Sequence, residues 1–130
     1  MNKIIITGRM TKEAELRTTP TDKHVASFTV ACDRPFLNKD GKRDTDFIPT
    51  VIWGKAADYI AERGYKGCKV LVEGRLQIRN FDAKDGTKHW VTEIMAQSLE
   101  ILGPKKENVE QDTEPMDNPD TEEPTVTEAE

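Results

Sequence analysis

Aromatic side chains are scarce in this chain: four phenylalanines, two tryptophans and two tyrosines among 130 residues. A core assembled from so few rings must rest on Val, Ile, Leu and Ala, so any ring on a solvated segment is conspicuous. Cysteine is sparse as well. Cys32 and Cys68 fall in separate apolar segments without CxxC spacing, which argues for free thiols in a reducing compartment rather than a disulfide framework. The two histidines, His24 and His89, do not approach a metal-ligand spacing with these thiols, and no metal or other cofactor is expected. A phosphate-cradling glycine loop and a paired nucleophile and base are also missing, which argues against an enzyme. Nowhere do eighteen apolar residues run together, and the opening Met-Asn-Lys-Ile-Ile-Ile-Thr-Gly is too short in apolar residues for a signal peptide. The expectation is a soluble cytoplasmic protein with no membrane partner.

Acidic residues outnumber basic ones by 24 to 19, yet the excess sits at one end. Residues 1–103 hold 17 Lys and Arg against 14 Asp and Glu, and residues 104–130 hold 2 against 10, so a balance of +3 meets one of −8. The break predicts one globular domain over 1–103 and an acidic tail over 104–130. A domain that size buries roughly 60 to 70% of its unfolded surface, enough for a core without disulfides. The tail has no aromatic residue and cannot bury enough surface to order itself, so disorder is expected there.

Alternation of apolar and polar residues marks the strands. Over 70–81, Val70, Val72, Leu76 and Ile78 form the expected core side, with Gly74 as the bend, while Glu73, Arg75, Gln77, Arg79 and Phe81 face outward. Guanidinium groups and a ring in one outward row suit a ligand with spaced negative charges and flat apolar faces, as in single-stranded nucleic acid. Further strands are expected over 3–7, 25–34, 47–53 and 90–102, with a polar excursion over 11–24. Phe47 and Trp53 share a face if the pleat is unbroken, although Pro49 demands either a sheet edge or a bulge. The helix is predicted over 54–67, with Ala56, Ala57, Ile60 and Ala61 as its apolar stripe, Gly64 as its stop, and Tyr59 and Tyr65 packing it against the sheet. Lys55 follows Trp53 directly and is within reach of the same ligand.

Two hairpins carry basic tips. The first, over 33–46, turns at Asp40-Gly41 with Lys39, Lys42 and Arg43 around it, and holds Phe36 beside Arg34. The second, over 82–88, carries Lys84 and Lys88, and its Asp85-Gly86 pair predicts a type I′ turn. A two-residue loop there pairs Phe81 with Trp90 and Arg79 with Thr92, placing both rings on the outward face; a three-residue loop breaks that pairing. Five strands with one helix between the third and fourth make an all-β fold, the five-stranded Greek-key barrel of the OB class, which binds oligomers between protruding loops.

Several short matches then occur in order: Asn-Lys-Ile-Ile-Ile-Thr-Gly-Arg at the start, Glu15-Leu16-Arg17 with Thr19-Pro20, Val25-Ala26 through Val30 to Arg34, Asp46-Phe47-Ile48, Val51-Ile52-Trp53, Glu73-Gly74-Arg75-Leu76 with Arg79, and Val91-Thr92-Glu93. In these, residues 1–103 resemble the bacterial and phage single-stranded DNA-binding protein (SSB) family. The resemblance implies an OB-fold homotetramer that binds and protects single-stranded DNA without sequence preference in replication, recombination and repair. It implies no catalytic activity, and a place in the bacterial cytoplasm and nucleoid, or in the host cytoplasm for a phage protein. Carried over by position, the stacking aromatics are Phe36, Phe47, Trp53 and Phe81, and the backbone contacts include Arg34, Lys55, Lys66 and Arg79. The strand and hairpin pattern adds Arg75, Trp90, Lys42, Arg43, Lys84 and Lys88 to the expected DNA-binding set. Two departures stand out. Pro49 replaces a usual polar or basic residue, and the chain ends Thr-Val-Thr-Glu-Ala-Glu where the family commonly closes on Pro-Phe, which puts tail-mediated recruitment of replication and repair proteins in question. The residues alone also admit another OB-fold module, an RNA-binding or primosomal accessory protein.

Overall fold

The computed structural model describes residues 1–104. The expected acidic tail beyond Pro104 lies outside the described residues. The elements in chain order are β1 (Ile4–Met10), β2 (Glu15–Thr18), β3 (His24–Leu37), β4 (Arg43–Trp53), α1 (Lys55–Arg63), β5 (Lys69–Asp82) and β6 (Lys88–Ile101). They form one sheet in the order β1-β5-β6-β4-β3-β2, and pairing of β1 with β3 closes it. All pairings are antiparallel except a short parallel contact of β4 with β6, Thr50 opposite Ile94 and Val51 opposite Met95. Thus β1, β3, β4, β5 and β6 make the OB-fold barrel, with α1 between its third and fourth strands. The sixth strand, β2, lies within the polar excursion and is exposed throughout, so it has no apolar alternation to announce it.

The barrel is filled from the alternating positions. Met10, Phe28, Val30, Ile52, Val70, Val72 and Ile94 are buried together, and α1 covers one end with Ala57 and Ile60. Tyr65 packs there as expected and donates its hydroxyl to the carbonyl of Pro104 at 2.7 Å. Tyr59 instead stays on the surface, with the Arg63 guanidinium 5.7 Å from its ring centroid. Both cysteines are free; Cys68 is buried and Cys32 half-buried, and burial pushes both thiols above their ordinary range.

Gly74 marks a close approach of β5 to β6. A Cβ there would lie 2.3 Å from the Met95 carbonyl oxygen and 2.7 Å from the Ala96 Cα. The register shifts at this point, since Glu73 faces Ser98 while Gly74 faces Ala96, leaving Gln97 as the extra residue of a bulge. From Ile78 onward every residue of β5 is exposed. Leu76 and Ile78 therefore do not reach the core: alternation continues along the strand, but the strand outruns the barrel behind it. Pro49 is accommodated at an edge. Thr29, its partner in β3, directs its carbonyl to the Thr11 N–H at 3.1 Å, so the missing N–H of Pro49 points away from β3, to the side where pairing with β6 begins only at Thr50.

Both hairpins close with three-residue loops. Ala83 N–H donates to the Thr87 carbonyl at 2.8 Å and Gly86 N–H to Ala83 at 3.0 Å, with Gly86 at φ 88°. Asn38, Lys42 and Gly41 repeat this pattern. The expected type I′ turn at Asp85-Gly86 is thereby corrected. The Asp85 carboxylate accepts from both the N–H and the hydroxyl of Thr87, at 3.0 and 2.7 Å, which favours the longer loop. Phe81 consequently faces His89, and Trp90 faces Asn80.

Candidate nucleic-acid interface

One face of β4 presents Phe47, Pro49, Val51 and Trp53 in turn, opposite Ala31, Thr29, Ser27 and Val25 of β3 in unbroken register. The two residues, Phe47 and Trp53, are 64% and 45% exposed. β2 sets Glu15 and Arg17 beside Ser27 and Val25. From the other side, β6 brings Met95 to Val51, and β5 adds Gln77 and Arg79. Together these strands line an open groove of about 630 Å³, with Lys12, Arg17, Trp53, Gln77, Arg79 and Glu93 among its walls. A second hollow continues past Trp53, bounded by Lys23, His24, Lys55 and Asp58. The His24 ring Nδ1 lies 2.6 Å from an Asp58 carboxylate oxygen there.

The charges fall into two groups. Arg79 donates through Nε to the Glu93 carboxylate at 2.8 Å, and Glu93 is only 4% exposed. Arg34 forks onto Asp46 through Nε and Nη2 at 3.1 and 2.9 Å. This fork holds the Asp46 carboxyl below its usual range and raises the Arg34 guanidinium. Arg43 donates to the Arg34 carbonyl at 2.9 Å, bracing the same hairpin. Lys42, Lys55, Lys84 and Lys88, by contrast, have no ion-pair partner among the described residues.

An open sheet face with exposed rings and flanking ammonium groups fits a single polynucleotide strand, and the sequence comparisons agree. The single-strand binding protein family model matches residues 1–102. The chain belongs to that family. It is 44% identical over 110 residues to single-stranded DNA-binding protein 2 of Listeria monocytogenes, covering 85% of this chain and 69% of that protein. Over 111 residues it is 45% identical to the single-stranded DNA-binding protein of Bacillus cereus, covering 85% and 65%, and over 103 residues 50% identical to single-stranded DNA-binding protein 3 of Clostridium acetobutylicum, covering 78% and 71%. The chain thus spans about two thirds of the length of these relatives.

Of the positions expected from the sequence to bind DNA, the structure brings Trp53 and Arg79 together in the groove, with Phe47 on the same strand face and Lys55 at the adjoining hollow. Phe36 is exposed on the first hairpin, within the irregular register between Asp33 and Leu37. Phe81 stands on the second hairpin and stacks on His89, with ring centroids 5.6 Å apart and planes 22° apart. Arg75 is exposed in the same outward row of β5, and Lys42, Arg43, Lys84 and Lys88 cluster at the hairpin ends. Lys66 and Trp90 stand on neither the groove nor the outward row of the hairpins. Lys66 sits beyond α1 beside Gly67, whose N–H bonds to Met10, and lines neither hollow. Trp90, 64% exposed, alternates with His89 and so lies opposite Phe81, on the face of Ile78; the three-residue loop moved it there. Sequence reasoning missed Lys12, Arg17 and Glu93 as groove residues. Arg17 sat in an apparent loop, while Glu93 left a signal as the lone carboxylate between Trp90 and Leu99.

Proposed function

We propose that this chain binds and shields single-stranded DNA without sequence preference, as a non-enzymatic participant in replication, recombination and repair. The observation that carries this reading is the solvent-facing pair Phe47 and Trp53 along one strand of a groove flanked by cations. A base stacked on such a ring contributes about 1–3 kcal/mol by alanine substitution, and every base has a face to stack. Duplex DNA hides those faces, which gives the preference for single strands. Phosphates meeting unpaired lysines release counterions, with a slope of roughly −0.7 per contact in log affinity against log salt. Phe36 and Phe81 extend the stacking path along the two hairpins, and Lys42, Lys55, Lys84 and Lys88 supply the phosphate contacts.

The same reading includes a homotetramer in the bacterial cytoplasm and nucleoid. Ile5, Ile78 and Trp90 are exposed apolar side chains away from the groove, suited to a subunit contact. It also divides the chain into a DNA-binding domain over 1–103 and an acidic segment over 104–130 that competes with DNA for the domain's cations. Titration of tryptophan fluorescence with oligo-dT and with duplex DNA at several salt concentrations tests the central claim. Quenching by oligo-dT that weakens with salt, and little quenching by duplex, is the expected result. The absence of both quenching by oligo-dT and binding to it would sink the claim.

A further inference from the structure

Arg79 is one of two guanidiniums that line the groove, and it is not a free cation. Across β5 and β6 it faces Val91, and its long side chain reaches diagonally to Glu93, two residues further along β6. The two partners differ in exposure: the Arg79 side chain is half open, at 52%, and that of Glu93 is nearly closed, at 5%. A carboxylate so enclosed is costly to leave without its cation, so an arriving phosphate cannot draw Arg79 away without stranding Glu93. Arg79 still offers its plane and its Nη groups to the groove. A charge-neutral pair releases no net counterion, whereas a planar guanidinium still stacks on bases and donates to their carbonyls. The charged groups lining the groove are otherwise Lys12, Glu15 and Arg17, an excess of one positive charge. Of the lysines without a carboxylate partner among the described residues, Lys12 lines the groove, while Lys42, Lys84 and Lys88 at the hairpin ends and Lys55 stand outside it.

We propose that Glu93 is a charge-silencing residue of the DNA site: it holds Arg79 as a flat hydrogen-bonding plate for bases and removes it from phosphate neutralisation, which falls to the lysines without partners. This inference rests on the single-stranded DNA reading and divides the site's cations into a silenced Arg79, whose contribution resists salt, and the lysines without partners, whose contribution does not.

The experiment is the salt dependence of oligo-dT affinity for the full chain and three variants. Glu93→Gln keeps an oxygen that can accept from Arg79 while removing the charge. Its slope becomes steeper by about 0.7, an extra loss of about 2.6-fold in affinity for each roughly fourfold rise in salt. Binding at the lowest salt tightens correspondingly. The double variant Arg79→Gln with Glu93→Gln strands no charge; it binds more weakly at every salt concentration, with the slope of the unaltered chain. Lys55→Gln calibrates the measurement, its slope becoming shallower by about 0.7. An unchanged slope in Glu93→Gln, or a double variant as shallow as Lys55→Gln, overturns the inference; if Glu93→Gln does not fold, the double variant decides alone. Failure of the unaltered chain to bind oligo-dT overturns the single-strand reading itself and this inference with it, so the two failures are distinguishable.

Discussion

At the scale of single residues, the groove's affinity turns on Trp53. Of the two rings that line the groove, Trp53 is exposed and Phe28 is buried, so Trp53 is the one a base can stack on there. Trp53→Ala should weaken binding to every homopolymer by about 1–3 kcal/mol, read from oligonucleotide titrations; an unchanged affinity would remove Trp53 from the site. Trp53→Phe should keep most of the affinity and abolish the fluorescence response, because the remaining indole, Trp90, faces the other way. Asp46 governs a different property. Its folded pKa is lowered by the Arg34 fork, so its contribution to stability is present above the unfolded carboxylate value, about 3.9, and is lost as pH falls through the lowered folded value. In thermal unfolding followed from neutral to acid pH, Asp46→Asn should show a shallower loss of stability on the acid side than the unaltered chain.

At the scale of elements, the β5–β6 hairpin is the part of the fold that departs from the barrel, and two changes probe it separately. Gly74→Ala puts a methyl group against the Met95 carbonyl and the Ala96 backbone, neither of which can rotate aside. A loss of about 1–3 kcal/mol in denaturant unfolding is expected, as for overpacked sites. Trp90→Ala tests the face assignment. Since Trp90 and Phe81 lie on opposite sides of the hairpin, the substitution should leave oligo-dT affinity nearly unchanged while Phe81→Ala weakens it. A loss from Trp90→Ala as large as that from Trp53→Ala would return Trp90 to the interface. The same variant examined by light scattering reports whether this face holds subunits together.

At the scale of the whole molecule, the segregation of charge is the main lever. The domain's excess of three positive charges is small beside the excess of eight negative charges that follows it in the chain. Truncation after Gly103 should tighten oligo-dT binding at low salt. The gain should fade as salt rises and the screening length contracts to about 10 Å or less. Equal affinities with and without residues 104–130 at low salt would leave that segment no role in competition for the groove.

The sequence by itself determined the barrel strands, the helix and the exposed rings. Alternation at Val70 and Val72, at Phe28 and Val30, and at Phe47 and Trp53 follows from the pleat alone, and a strand side chain has only two faces to choose between. It also carried the split of charge and the resemblance to the single-strand binding proteins. Tertiary structure alone decided three things. Leu76 and Ile78 alternate as core residues do, but burial requires another layer behind the strand, and the hairpin extends past the barrel. Trp90 changed faces because one extra loop residue, favoured by the Asp85 carboxylate's bonds to Thr87, shifts every later side chain by half a pleat. Finally, Lys12, Arg17, Trp53, Arg79 and Glu93 meet in one groove although they come from five separate stretches of chain. Sheet closure brings them together, and no local pattern of spacing encodes which distant strands will be neighbours.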